Sequence, residues 1–170
     1  DPAQPELMLR PAEEVLALEH LTCLVLGPGL GQSPQARSAV ALALERELPL
    51  VLDADALNLI GAHDALCEVC RARPLPTLLT PHPAEAARLL QTTTGEIQSD
   101  RVRSALQLAA RYNAGTTLKG VGSVLAFPDG SWAINTSGNT GLASAGMGDV
   151  LSGILGGLIA QGATAHAGLI

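Results

Sequence analysis

The sequence predicts an α/β domain in which a mostly parallel central sheet is flanked by helices and carries an antiparallel hairpin at one edge. Three observations predict it. Short continuous apolar runs, residues 21–26 and 50–52 among them, end abruptly in glycine or aspartate, as strands buried on both faces do. Segments with apolar residues at helical spacing alternate with those runs, which makes βαβ units and a parallel sheet. Late in the chain, two extended runs flank Pro128-Asp129-Gly130, a turn that sends the second run back as a hairpin partner.

Taken in order, residues 21–26 form the first strand and run into Gly27-Pro28-Gly29-Leu30-Gly31. Ser33 before Pro34 is an N-cap followed by a first-turn proline; Ala36, Val40, Ala43 and Leu44 then recur with helical spacing until Pro49. Residues 50–52 are the second strand, closed by Asp53-Ala54-Asp55, and helical segments follow through Leu57 and Ile60 and again near residues 63–71. Residues 77–80 are the third strand, stopped by Pro81-His82-Pro83. One helix spans residues 84–90, and another carries Val102, Ala105, Leu106 and Ala109. Residues 116–119 and 123–127 are strands, and Trp132-Ala133-Ile134 completes the hairpin. A loop of small residues, 138–148, leads into a helix from Asp149. On that helix Val150, Leu151, Ile154, Leu155, Leu158 and Ile159 form an apolar stripe, and Gly153, Gly156, Gly157 and Ala160 form a face for close packing.

The 170 residues fit one domain, residues 1–170. With 47% hydrophobic and 15% charged residues, the composition is that of a packed globule rather than a disordered chain. One Trp, one Tyr and one Phe leave the core to aliphatic side chains. The net charge of −6 comes with no basic run, so no nucleic-acid partner is expected. The longest apolar stretch, residues 150–160, is broken by Ser152, Gly153, Gly156 and Gly157; it is too short for a bilayer, and no membrane partner is expected. Cys67 and Cys70 form a lone C-x-x-C without a second pair of ligands, so no protein metal site is expected. They read as two small apolar residues on one helix face in preference to a redox pair, and the expected location is cytoplasmic. No signal peptide is recognised. A chain that opens on Asp1 without Met is expected to be part of a longer protein.

In parallel sheets of this kind, ligands bind beyond the carboxyl ends of the strands. The unusual segments fall there: 27–31, 53–58, 80–85, 119–123 and 138–149. The N–H groups of residues 146–149 would make an anion hole at the start of the last helix. A carboxylate beside such a hole repels phosphate. Asp149 therefore reads as a base that takes the proton of a hydroxyl attacking phosphorus, with a plain first-turn helix residue as the alternative. His82 lies between two prolines, which fix an extended backbone; it reads as a substrate contact or as a structural histidine. Glu85 is a helix cap or part of a metal-water shell. Asp53, Asp55 and Asn58 orient a loop, bind through metal waters, or cap a helix. The segments 27–31 and 119–123 are weak signals singly, and Lys119-Gly120-Val121-Gly122-Ser123 is no Walker loop, because its lysine precedes the glycines.

Together, G-P-G-L-G at 27–31, V-L-D-A-D-A-L-N at 51–58, T-P-H-P-A-E at 80–85, K-G-V-G-S at 119–123 and the N-T-S-G-N…G-M-G-D loop ending at 149 resemble the NAD(P)H-hydrate dehydratase family, once grouped with carbohydrate kinases. The likeness runs from Pro5 to the C-terminus. It implies a ribokinase-like fold and a repair reaction on hydrated NADH or NADPH. The ring hydroxyl is phosphorylated at the expense of ADP or ATP, phosphate leaves, and the dinucleotide is restored. The resemblance implies that Gly29, Gly31, His82 and Asp149 contact the hydrate, with Asp149 catalytic. It implies that Lys119, Gly120, Val121, Gly122 and Ser123, with Asn139, Gly146, Met147 and Gly148, hold the adenine nucleotide. ADP or ATP and Mg2+ are the implied cofactors. A homo-oligomer is implied, as is an NAD(P)H-hydrate epimerase fused to the chain or working with it. Ala84 stands where the family has glycine, and Met147 where a small hydroxyl residue is common. The family carries further strands and helices on both sides, so the chain reads as truncated at both ends. The alternatives are a vitamin-precursor or sugar kinase of the ribokinase-like superfamily and a non-catalytic nucleotide-binding module; T-P-H-P-A-E favours the dehydratase.

Overall fold

Leu24–Leu26 (β1), Leu50–Leu52 (β2), Thr77–Leu79 (β3) and Gly115–Leu118 (β4) pair side by side in chain order, all parallel, in a computed structural model that describes residues 8–164. Val124–Ala126 (β5) and Trp132–Ile134 (β6) extend the sheet antiparallel, as the turn at 128–130 predicts. Because side chains alternate along a strand, the register sorts the sheet into two faces. Leu24, Leu50, Leu52 and Leu79 face the larger cluster, which is built from the helices between the strands. Val51, Leu78, Leu125 and Phe127 face the other way and pack on Leu155 and Ile159 of the last helix.

The helices are Ala12–Leu16 (α1), Pro34–Glu45 (α2), Ala54–Ala62 (α3), Asp64–Arg71 (α4), Pro83–Leu90 (α5), Thr94–Ser99 (α6), Arg101–Tyr112 (α7) and Met147–Ala160 (α8). Their starts follow sequence signals. The Ser33 hydroxyl accepts from the Ala36 N–H, and Asp100 accepts from the Arg103 N–H. Thr93 and Glu96 close a reciprocal capping box on α6. Arg73 is buried and staples the chain after α2. Its guanidinium donates to the Leu44, Arg46 and Leu48 carbonyls, and its Nε to the Thr77 hydroxyl. Cys67 and Cys70 are buried, unpaired neighbours on α4, as expected of small apolar residues.

The structure departs from expectation at four places. The helices α1 and α6, of 5 and 6 residues, go unforeseen because so short a helix shows no period. The first strand shrinks to Leu24–Leu26, and Val25 is 39% exposed rather than buried, since no described strand pairs on its far side. The last helix starts at Met147, two positions ahead of Asp149, because Gly146 takes the left-handed turn that caps it. The inward face of α8 also differs. Ser152, Leu155, Gly156 and Ile159 are buried, while Val150, Ile154 and Leu158 of the predicted stripe are exposed. Gly156 explains the rotation: a Cβ there would overlap the Val25 side chain, so the glycine is what lets α8 lie on β1. No described helix is long and apolar enough to cross a membrane.

Candidate active site

With β1 to β4 parallel, their carboxyl ends lie along one edge of the sheet, and every predicted site segment leaves the sheet there. The backbone ladder continues past the strands and fixes these exits. The Asp53 N–H donates to Leu26 O at 3.1 Å, the Thr80 N–H to Leu52 O at 3.2 Å, and the Lys119 N–H to Pro81 O at 2.8 Å.

The centre of the edge is a buried polar knot. Asp53, 1% exposed, caps α3 by accepting from the Ala54 N–H at 2.9 Å. The same carboxylate receives the Lys119 ammonium at 2.8 Å on Oδ1 and the Ser152 hydroxyl at 2.6 Å on Oδ2. A second acid, Glu85, lies 4.0 Å from the Lys119 ammonium. Lys119 is only 20% exposed, so its charge is balanced by carboxylates rather than by water. A buried carboxylate is tolerated here because its oxygens are occupied by a cation, a hydroxyl and an amide. Ser152 also donates toward Gly148 O at 3.1 Å. A Cβ on Gly148 would come within 3.3 Å of the lysine nitrogen, so α8 begins directly against the knot.

His82 turns out to be the N-cap of α5. Its Nδ1 accepts from the Ala84 and Glu85 N–H groups at 3.1 and 3.3 Å, and Glu85 returns the bond by accepting from the His82 N–H at 2.8 Å. The two accepted bonds place the imidazole proton on Nε2. The ring remains 48% exposed at the sheet edge, so the cap and a substrate contact are compatible. Glu85 is thus the helix cap of the first alternative.

The loop 27–31 is held from β2. A side chain on Gly27 would overlap the Asp53 carbonyl. Asp55 accepts from the Gly31 N–H at 2.8 Å and from the Gln32 side chain at 3.1 Å, so it orients the loop, and Asn58 accepts from Arg88 at 2.9 Å. Gly29 and Gly31 have positive φ and open space where a Cβ would stand. No hydrogen bond among the described residues joins this loop to His82 or Asp149; it is placed beside them only by sharing the edge.

Asp149 is the third residue of α8, exposed, with no side-chain hydrogen bond among the described residues. It lies seven residues before Gly156 and therefore on the same, β1-facing side of the helix. No side chain among the described residues caps α8; the Met147 N–H is taken by Ser144 O at 3.4 Å, which leaves the Gly148 and Asp149 N–H groups open to a ligand. Ser123 closes the 119–123 turn by exchanging bonds with the Gly120 N–H and carbonyl at 3.3 and 3.1 Å. Val121 is 96% exposed at its tip. The Asn139 carbonyl is engaged with the Gly141 N–H at 2.8 Å, which leaves its amide nitrogen for a ligand; Met147 is half-buried at the first position of α8.

Sequence reasoning missed Ser152 and Arg101 at this edge, and the pairing of Asp53 with Lys119. Asp53 was legible as an acid ending an apolar strand but not as the partner of Lys119. Ser152, a lone hydroxyl in a buried helix, reads in the sequence as a mere interruption. Arg101 occupies the first position of α7, where the helix dipole disfavours a cation. Its guanidinium instead donates to Leu118 O at 2.9 Å and Val121 O at 3.0 Å, behind the 119–123 turn.

A model of the NAD(P)H-hydrate dehydratase family matches residues 3–170. The chain belongs to that family. It is 42% identical over 160 residues to the ADP-dependent (S)-NAD(P)H-hydrate dehydratase of Neisseria meningitidis serogroup B, covering 93% of the chain and 54% of that relative. It is 41% identical over 162 residues to the bifunctional NAD(P)H-hydrate repair enzyme of Escherichia coli, covering 94% of the chain and 30% of that protein. Among solved structures, the ADP/ATP-dependent NAD(P)H-hydrate dehydratase of Bacillus subtilis, co-crystallised with ATP and Mg2+, superposes with a TM-score of 0.82 at 31% identity, covering 99% of the chain and 60% of that structure. The dehydratase-family chain thus spans about half or less of the curated relatives it matches. A ribokinase-like superfamily protein of Enterococcus faecalis superposes with a TM-score of 0.76 at 27% identity, covering 94% of the chain and 56% of that structure, so the chain has the ribokinase-like architecture.

Proposed function

We propose that the chain carries the centre of an ADP- or ATP-dependent (S)-NAD(P)H-hydrate dehydratase, in which Asp149 deprotonates the ring hydroxyl of the hydrate. The observation that carries the reading is the pairing of a free, exposed carboxylate with an uncapped helix start at the same helix end. A nucleotide phosphate is attracted by those N–H groups at the helix start. A carboxylate there serves proton removal better than anion binding. The hydroxyl proton passes to Asp149, the oxygen forms a bond to the terminal phosphorus, and the bond from that phosphorus to the nucleotide breaks. Phosphate then leaves the ring with its C–O bond electrons, and loss of a neighbouring proton restores the double bond.

The open Gly29 and Gly31 backbone and the exposed His82 ring supply the hydrate side. The 119–123 turn, Asn139 and residues 146–148 supply the nucleotide side. The donor set does not fit a resident cation at the polar knot, where Lys119 already stands between Asp53 and Glu85. Magnesium would enter with the nucleotide phosphates, as is usual for this ion. Three unpaired thiols fit a reducing, cytoplasmic setting. Self-association and an epimerase working on the same hydrate complete the proposal, with the family likeness as their support.

The test is the recovery of reduced-nicotinamide absorbance from enzymatically hydrated NADH with ADP and magnesium. Recovery that requires ADP supports the reading. Phosphorylation of a sugar or vitamin precursor, without action on the hydrate, would replace it with the kinase alternative.

A further inference from the structure

The 119–123 turn is held from behind by a residue that no site motif contains. Arg101 donates from Nη2 to Leu118 O at 2.9 Å and from Nη1 to Val121 O at 3.0 Å, spanning the turn like a clamp. Its Nε–H is buried without a hydrogen-bond partner, and no carboxylate among the described residues pairs with the guanidinium. Placing that charge at the first position of α7 works against the helix dipole.

The turn is shaped to the clamp. Gly120 has φ +148° and Gly122 φ +62°. A Cβ on Gly120 would lie 2.6 Å from Arg101 Nη1 and 2.9 Å from Nη2. The far end of an arginine is ordinarily flexible, but here it can retreat only by abandoning both carbonyls. The Val121 carbonyl points at Arg101, so in a trans peptide the Gly122 N–H points the opposite way, and no hydrogen bond among the described residues takes it up. The clamp therefore turns a carbonyl inward and an amide outward, with an unneutralised cation behind.

We propose that Arg101 is the positioning residue of the nucleotide turn: it presents the backbone amides around Gly122 to the phosphates of an adenine nucleotide and lends them its positive field. The inference rests on the nucleotide reading given under the proposed function. Arg101 touches the turn rather than the nucleotide, so its loss acts on nucleotide affinity and spares the hydrate side of the edge.

Four proteins, each shown to be folded by circular dichroism and urea unfolding, test it: Arg101→Ala, Arg101→Lys, Gly120→Ala and the double variant Arg101→Ala/Gly120→Ala. ADP affinity is measured by direct titration, and KM for ADP, KM for the hydrate and kcat by the absorbance assay. Arg101→Ala is expected to weaken ADP by about 10–100-fold, the worth of lost charge-assisted hydrogen bonds. KM for the hydrate, and kcat at saturating ADP, stay near the parent. Lysine, which reaches one carbonyl, recovers part of the loss. Gly120→Ala weakens ADP in the parent and adds less once Arg101 is gone, because the methyl no longer displaces a guanidinium and only the backbone strain at φ +148° remains. Equal losses for ADP and hydrate, unchanged ADP affinity, or additive effects of the two substitutions each overturn the inference. Should Arg101→Ala fail to fold, the lysine and glycine variants decide it by the same split. If the parent binds no ADP, the nucleotide reading itself falls and this inference with it; normal binding by parent and variants alike overturns the inference alone.

Discussion

Replacing Asp53 with alanine removes three partners at once: the Lys119 ammonium at 2.8 Å, the Ser152 hydroxyl at 2.6 Å and the Ala54 N–H at 2.9 Å. Breaking a buried ion pair by removing one member costs about 3–5 kcal/mol. Lys119 retains Glu85 at 4.0 Å and some contact with water, which places the loss near the lower end, about 3 kcal/mol, with about 1 kcal/mol more for the helix cap. For a chain of this size that lowers Tm by about 8–16 °C. Asp53→Asn keeps the cap and one acceptor, so about 1–2 kcal/mol is expected for it. Urea unfolding at constant m-value measures both, and Lys119→Met supplies the control. If the stranded ammonium is the source of the loss, the Asp53→Ala/Lys119→Met protein is more stable than the sum of the single losses, by about 1–3 kcal/mol. A loss below about 1 kcal/mol for Asp53→Ala, or strict additivity with Lys119→Met, refutes the ion-pair account.

Asp149→Asn is expected to lower hydrate turnover by about 10²–10⁴-fold, the usual worth of a positioned base, while ADP binds as well or better because a negative charge is gone. Near-normal turnover in the absorbance assay removes Asp149 from the base role. His82→Asn keeps the cap on α5, since asparagine caps as well as any residue, whereas His82→Ala loses about 1 kcal/mol of stability. Raised KM for the hydrate in both variants marks a substrate contact, and a normal KM in His82→Asn leaves His82 a cap alone. Burial pushes the Cys70 thiol from 9.0 up to about 12, against a smaller opposing pull from Arg73. Between those values the unfolded chain has given up the proton that the folded chain keeps. Cys70 stability is therefore intact below pH 9.0 and is lost as pH rises toward 12, by at most about 1.4 kcal/mol per pH unit. Cys70→Ala removes that part of the alkaline slope in urea unfolding; an identical slope in parent and variant contradicts it.

The strands and the long helices were legible because their signals are local. An apolar run that stops at Asp53 or Pro81, and Ser33 before Pro34, need nothing from the rest of the chain. The hairpin followed from Pro128-Asp129-Gly130 in the same way. The site was legible as a set of loop segments, because parallel topology gathers all strand exits on one edge. Its wiring was not. Ser152 and Asp53 are 99 residues apart, and Lys119 and Asp53 are 66 apart, and nothing in either neighbourhood announces the other. His82 was underdetermined for a different reason: the same fixed backbone that suits a substrate contact also suits a cap, and the Nδ1 geometry establishes the cap without deciding the contact. On α8, hydrophobicity misled. The three large apolar residues Val150, Ile154 and Leu158 are exposed because close approach to β1 belongs to Gly156.

The long reach of the Ser152–Asp53 bond has a kinetic consequence. Contacts between neighbouring strands and the helices that join them close short loops and can form early, whereas α8 must find β1 and β2 across most of the chain. Asp149 and the open amides of α8 therefore reach the edge of the sheet only when that last helix docks. Until then Lys119 and Asp53 can pair without them, and the half-assembled protein holds a closed ion pair rather than an anion-binding hole. In a refolding experiment, secondary structure should recover before nucleotide binding does, and the lag between the two signals times the docking of α8.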